Sequence, residues 1–265
     1  MNDYLSSILA RKQLENSRRR RHAQAMRPVE RMPEPERSAR GLRALRRAPG
    51  QPPSVIAEIK FRSPSAGELR HRSPGEGVRV ARSYERGGAS VVSVLADGPG
   101  FGGSPLLVRR VAQAVSLPVL YKEFVLDPIQ VDLAYDVGSS LVLLLARALE
   151  DPELHTLVQR VRALGMEPVV EASDADEVDR AVAAGSTVVG VNARDLATFR
   201  VDLDAARTCV ERIPTECIAV FMSGVRSADD FCEVARGRAD AVLIGEGLMR
   251  AEDPGARLRE LLGSV

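Results

Sequence analysis

The chain has 265 residues, a net charge of +1, 45% hydrophobic and 4% aromatic residues, and no Trp. That length is long for one ordinary domain and right for one (β/α)-barrel, with a core built from Val, Leu, Ala and Ile. Three cysteines without CxxC spacing (Cys209, Cys217, Cys232), no apolar run of membrane-spanning length and no signal-peptide core argue against a disulfide framework, a zinc site, a membrane partner and secretion, so a cytoplasmic protein is expected.

Residues 2–22 read as a helix: Asn2 or Asp3 can cap it, and Leu5, Ile8, Leu9 and Lys12 follow helical spacing. Residues 1–50 carry 13 Lys and Arg against 5 Asp and Glu, whereas the remainder carries 24 against 31. The run Arg18-Arg19-Arg20-Arg21 has no interleaved aromatics, so it reads as a solvated helix face and not as a nucleic-acid site. Residues 26–36, with Pro28, Pro33 and Pro35, form a connector, and residues 37–47 a second helix ended by Pro49-Gly50. We assign residues 1–50 as an N-terminal helical extension of the same domain as a barrel spanning 51–265.

An alternation of strands and helices follows. Apolar, β-rich runs occupy residues 54–60, 89–95, 117–122, 140–145, 167–171, 187–192, 217–223 and 240–245. Amphipathic helical patterns lie between them, near 74–87, 104–114, 128–137, 150–164, 174–184, 202–213 and 226–236, with a last helix at 255–263. Strands made almost wholly of Val, Ile and Leu are buried on both faces, as parallel strands are. Eight βα units with short loops give an α/β fold of the (β/α)8 TIM-barrel type.

In such barrels the chemistry sits at the carboxyl ends of the strands. The first strand ends in Glu58 and Lys60, two residues apart and so on one face. Taken alone, that pair equally fits an ion pair on an exposed edge strand. The other strand ends decide between the two. The third ends at Lys122, the fifth at Glu171, the sixth at Asn192 followed by Arg194, the seventh at Ser223-Gly224 and the eighth at Gly245-Glu246-Gly247. Two lysines, two carboxylates and an Asn converging on one mouth predict a catalytic site. The glycines after the last two strands offer free backbone N–H groups, and with Lys60 and the Ser63-Pro64-Ser65 loop they favour a phosphate monoester as ligand.

These segments resemble the indole-3-glycerol phosphate synthase family of tryptophan biosynthesis. The resemblance covers nearly the whole chain, in YLSSILARKQ, VIAEIKFRSPSAG, SVLADGPGFGGS, PVLYKEFVLDPIQVDLAYDVGSSLVLLL, VVEASD, GVNARDLATFRVDL and LIGEGLMRAEDP. It implies a small phosphorylated substrate, 1-(2-carboxyphenylamino)-1-deoxyribulose 5-phosphate, whose pyrrole ring is closed with loss of CO2 and water without cofactor or metal. The resemblance makes Lys122 the general acid of ring closure and Glu171 the acid and base of dehydration. Lys60 meets the substrate carboxylate and phosphate region and shares acid duty. Glu58 holds the lysines, and Asn192 and Arg194 order the polar network. Phosphate falls to Lys60, Ser63, Gly224, Gly245 and Glu246. Pro64, Phe101, Phe124, Leu143 and Leu196 wall the ring, with Met222 and Ser223 beside it. Association with other tryptophan-pathway enzymes is implied as well, and as the chain ends right after the last helix no fused domain is expected.

The chain departs from the family at Phe221-Met222-Ser223-Gly224, where Ser-Glu-Ser-Gly or Ala-Glu-Ser-Gly is usual. A thioether replaces a carboxylate expected to point into the mouth, and it cannot carry charge or accept a strong hydrogen bond. Glu123 replaces the Asp of Lys-Asp-Phe, and Ala96 replaces a Thr. Three readings follow: a working synthase that tolerates Met222, a paralogue acting on a modified anthranilate adduct in a secondary pathway, and a non-catalytic phosphate-binding scaffold. The intact lysines and Glu171 argue against the scaffold.

Overall fold

The structure, a computed structural model, describes residues 4–25, 30–195 and 198–264. Eight parallel strands close into a barrel: β1 (Ser54–Ile59), β2 (Val91–Leu95), β3 (Val119–Lys122), β4 (Leu141–Leu145), β5 (Glu167–Ala172), β6 (Val188–Asn192), β7 (Ile218–Met222) and β8 (Ala241–Ile244). Closure comes from β1 pairing with both β2 and β8, with Ala57 opposite Val92 on one side and Ile244 on the other. The strands are buried along nearly their whole length, which explains why they read as continuous apolar runs.

Twelve α-helices and one 3-10 turn (Ala146–Ala148) are described. The extension supplies α1 (Tyr4–Gln24) and α2 (Pro35–Leu45), and the barrel's outer ring holds α3 (Glu76–Gly87), α5 (Pro105–Ala112), α6 (Pro128–Asp136), α7 (Asp151–Ala163), α8 (Ala175–Ala183), α9 (Leu203–Arg212), α10 (Ala228–Ala235) and α12 (Pro254–Leu262). The sequence pattern missed two four-residue helices, α4 (Gly98–Phe101) and α11 (Glu246–Met249). One turn is too short to show a period. Asn2 and Asp3 as caps of α1 lie outside the described residues. Pro35, read as connector, begins α2, since a proline in the first turn gives up an N–H that would have no helical partner.

The core has two parts. One fills the space between strands and outer helices. The other fills the barrel, where inward side chains such as Ile56, Leu120, Leu141, Val169, Val188 and Val220 meet. This inner core also takes in Leu5 and Ile8 of α1, so the extension closes the carboxyl-terminal end of the barrel. Leu45 of α2 joins it as well, and the backbone N–H groups of Glu34 and Ser38 bond the carbonyls of Leu164 and Gly165 just before β5. The extension therefore caps both ends. Arg18 and Arg21 stay exposed, while Arg19 bonds Asn16 and Arg20 pairs with Asp127.

Candidate active site

The pocket at the carboxyl ends of the strands has about 890 Å3 of empty space, open to solvent. It is lined by Glu58, Lys60, Ser63, Pro64, Phe101, Lys122, Phe124, Leu143, Glu171, Asn192, Arg194, Ser223 and Glu246, all expected from the sequence. Strand periodicity brings them together. Residues two apart face the same way, so Glu58 follows Ile56 inward and Lys122 follows Leu120.

Two ion pairs organise the floor. The Lys60 ammonium lies 2.8 Å from Glu58, and the Lys122 ammonium donates to Glu171 at 2.9 Å. The second carboxylate oxygen of Glu171 accepts from the Asn192 side-chain NH2 at 2.8 Å, and the Asn192 side-chain oxygen Oδ1 accepts from the Arg194 backbone N–H at 3.0 Å. A chain therefore runs from Lys122 through Glu171 to Asn192, each group fixed by the next. The end of β1 is held from outside by the buried Tyr84 hydroxyl, which donates to the Glu58 carbonyl at 3.0 Å.

Burial and pairing oppose each other here. Burial alone would push the Glu58 carboxyl up, but Lys60 and Lys122 outweigh it and hold the group below the usual carboxylate range. Burial alone would pull Lys122 down, but Glu171 and Glu58 outweigh it and hold the ammonium above its ordinary value. Lys122 is therefore a cation with a proton to give, and Glu58 an anion at neutral pH.

Two close approaches explain glycines in the strands. A Cβ on Gly245 would lie 2.6 Å from a Glu58 carboxylate oxygen and 3.1 Å from the Lys60 nitrogen. The β1 ion pair thus rests directly on the backbone that follows β8. A Cβ on Gly190 would lie 2.2 Å from the terminal carbon of Met222 and 2.9 Å from its sulfur. This corrects the expectation for Met222. It is 1% exposed and packs in the barrel interior across Gly190, and it does not line the pocket. The thioether fills the space that the missing side chain of Gly190 leaves, so it sits below the floor of the mouth.

Gly224 and Gly245 also fall outside the lining, although their neighbours Ser223 and Glu246 belong to it. Gly224 packs its backbone on Leu203 of α9. Leu196 lies outside the described residues. Ser63 is buried, and its hydroxyl accepts from the Ala66 N–H at 3.1 Å, which shapes the loop.

The sequence pointed to the first helix as a cover for the mouth but did not single out the residues of that roof or of the second layer of wall. Tyr4, Leu5 and Ile8 of α1 line the pocket, with Phe199, whose ring meets Tyr4 at 5.7 Å between centroids. The i, i+1, i+4 spacing in α1 was the available signal. Phe199 sits at φ 58°, in the left-handed region, and nothing in its sequence announces that. Leu95, Leu145 and Leu243 complete the wall. Each is an inward position two residues along its strand from another inward residue, so the period of two could have found them.

The comparisons fit this geometry. The family model described as "Indole-3-glycerol phosphate synthase" matches residues 5–261. A protein of that name from Mycobacterium avium (strain 104) is 43% identical over 208 residues, covering 78% of this chain and 76% of its own. "Indole-3-glycerol phosphate synthase 1" of Streptomyces coelicolor is 42% identical over 224 residues, covering 84% and 81%. Among solved structures, KGPDC from Streptococcus mutans aligns with a TM-score of 0.63 at 13% identity over 81% of this chain and 97% of its own. A mandelate oxidase aligns at 0.58 and 18% over 80% and 70%. At such identities the two structures speak only for the barrel.

Proposed function

The chain belongs to the indole-3-glycerol phosphate synthase family, and from that membership we propose how its mouth divides the work. The activity is that of the family: a carboxy-lyase of tryptophan biosynthesis that closes the pyrrole ring of 1-(2-carboxyphenylamino)-1-deoxyribulose 5-phosphate, with loss of CO2 and water. Lys122 gives its proton to the ketone oxygen as the aryl carbon attacks. Glu171, already in contact with Lys122, moves the proton of the dehydration step. Glu58 holds Lys60 in place and helps keep Lys122 charged, and Asn192 aims the Glu171 carboxylate. Lys60 and Arg194 face the substrate's anionic groups. The Ser63 loop, Ser223 and Glu246 receive the phosphate. Pro64, Phe101, Phe124 and Leu143 hold the aryl ring away from water.

The observation that carries this reading is the contiguous line of Lys122, Glu171 and Asn192 beside a separate Glu58–Lys60 pair. An acid for ring closure must be protonated, and a base for dehydration must lie close to the same carbon. A lysine and a carboxylate in hydrogen-bond contact meet both needs. With Met222 packed beneath the floor, its thioether offers no ground for a pocket reshaped around a substituted ring.

The test is direct. Purified protein is mixed with the substrate and indole fluorescence is followed, against no background from Trp, since the chain has none. Steady product formation is expected. A folded protein that binds the substrate without turning it over would refute the assignment.

A further inference from the structure

One charged group in the extension is buried where a helix face would ordinarily be wet. Lys12 of α1 is 2% exposed. Its ammonium lies 2.9 Å from Asp97 and 3.0 Å from Glu123. Both carboxylates have a second task. The other oxygen of Asp97 accepts from the Gly100 N–H at 2.6 Å and so caps α4, the single turn that ends at Phe101. The other oxygen of Glu123 accepts from the Phe124 N–H at 2.9 Å. One turn along the same face of α1, Asn16 is also 2% exposed and donates to the Gln130 side chain at 2.7 Å. Gln130 in turn donates to the Phe124 carbonyl at 2.8 Å. The backbone of Phe124 is thus gripped on both sides by partners that answer to α1. Phe101 and Phe124 stand 6.2 Å apart between ring centroids and face the pocket together.

We propose that Lys12 is a positioning residue for ring closure. Its single ammonium ties the turn carrying Phe101, the turn carrying Phe124 and the helix carrying Tyr4, Leu5 and Ile8 into one rigid slot for the aryl group. Asn16 is the second point of the same clamp. The inference rests on the synthase reading, because it assumes an aryl group in that slot. It explains why a lysine, which costs much to bury unpaired, stands at a position where an apolar residue would bury as well. It also explains Glu123: the carboxylate must reach back to Lys12 while still holding the N–H of its neighbour. The phosphate end of the pocket is built on the loops after β1, β7 and β8, and among the described residues only the first of these bonds the turn that carries Phe101, from the Phe61 N–H to the Phe101 carbonyl at 3.2 Å and from Arg62 to the Gly98 and Pro99 carbonyls. The clamp therefore acts directly on the aryl half of the substrate, and the phosphate half keeps the β7 and β8 loops, which stand apart from it.

That difference between the two halves gives the test. In Lys12→Met the KM for 1-(2-carboxyphenylamino)-1-deoxyribulose 5-phosphate is expected to rise at least tenfold, with kcat falling less. The inhibition constant of inorganic phosphate stays within twofold of the parent protein. Lys12→Met leaves Glu123 without its cation, so the folded control is Lys12→Met with Glu123→Gln. That pair keeps an acceptor for the Phe124 N–H, and Arg11, 2.6 Å from Asp97, still satisfies Asp97. The double variant is expected to recover the parent's urea midpoint while retaining the raised KM. A folded double variant with a KM within twofold of the parent would overturn the proposal. So would a parallel rise in the phosphate constant, or a protein that folds in neither form, since each places Lys12 in general stability. If the parent protein itself does not turn the substrate over, the synthase reading fails and not the clamp.

Discussion

Replacing Lys122 with Met tests the centre of the mechanism, because it separates what the lysine does for the fold from what it does for the reaction. The ammonium is 2.9 Å from Glu171, with side-chain exposures of 14% and 5%. Methionine matches its shape and removes its charge and proton. A general acid contributes about a hundred- to ten-thousand-fold, so kcat should fall by that much, about 2.7–5.4 kcal/mol of barrel-mouth stabilisation of the transition state. Stability should fall as well, because Glu171 would keep only Asn192 as a partner. Breaking a fully buried pair costs about 3–5 kcal/mol, and the partly open mouth lowers that to about 1–3 kcal/mol. Adding Glu171→Gln removes the orphaned charge, so the double variant should regain most of the lost stability and stay inactive. Fluorescence progress curves read the first quantity and urea denaturation the second. A Lys122→Met protein within tenfold of the parent in kcat would refute the acid assignment. Strictly additive stability losses in the double variant would refute the pairing.

Other consequences follow from the same geometry. Gly245→Ala would place a Cβ 2.6 Å from Glu58 and 3.1 Å from Lys60, forcing that ion pair into the mouth; kcat/KM should drop about 10- to 100-fold, roughly 1.4–2.8 kcal/mol, with the fold retained by circular dichroism. Gly190→Ala should cost about 1–3 kcal/mol by overpacking against Met222. Combined with Met222→Val, it should cost less than the two single changes together by about 1 kcal/mol or more, and additive urea-derived values would place Met222 elsewhere. The pH dependence of stability carries a sign. The Glu58 carboxyl is held below its unfolded value of 4.5, so its contribution is present above that pH and is lost as the pH falls through the folded value. The stability gap between the parent and Glu58→Gln should therefore shrink on acidification below about 4.5, and a gap that widens there would reverse the sign of the argument. Lys122, held above its ordinary value by Glu171 and Glu58 against the pull of burial, contributes in the opposite window: its share persists at neutral pH and is lost only in strong alkali.

The barrel was legible because its signals are local and repeated. Eight apolar runs separated by amphipathic helices leave few other ways to bury both faces of each strand, and once the strand ends were known, Glu58, Lys60, Lys122, Glu171 and Asn192 fell into one mouth by the period of two. What stayed hidden depends on contacts distant in sequence. Tyr4 and Ile8 are about a hundred residues from Phe101 and Phe124, and only the fold makes them a roof. Lys12 followed the helical spacing of Leu5, Ile8 and Leu9, but its burial was hidden because its partners, Asp97 and Glu123, are 85 and 111 positions away. The positive φ of Phe199 comes from the closure of its own loop, where its N–H reaches the Asp195 carbonyl at 2.8 Å.

Met222 shows how a correct periodicity can still mislead about depth. Its register opposite Asn192 puts it on an inward position, and an inward carboxylate there would have faced the lysines. Inward, however, is not the same as exposed to the pocket, because the barrel interior is stacked in layers and only the upper ones meet the mouth. A side chain belongs to the floor or to the core according to which way it bends, and that is set by the size of its neighbours. Here Gly190 leaves a space that the flexible thioether fills, whereas a carboxylate would have to leave that apolar space for the lysines above. The exchange of Glu for Met therefore removes a negative charge from the mouth without adding an obstacle to it. Lys60 and Lys122 are left with one carboxylate each, at 2.8 and 2.9 Å, and that is sufficient to keep Lys122 protonated. On this physical ground an intact synthase can do without the third carboxylate, and Met222→Glu should be destabilising without being needed for turnover; a large gain in kcat from that substitution would show the missing charge to matter after all.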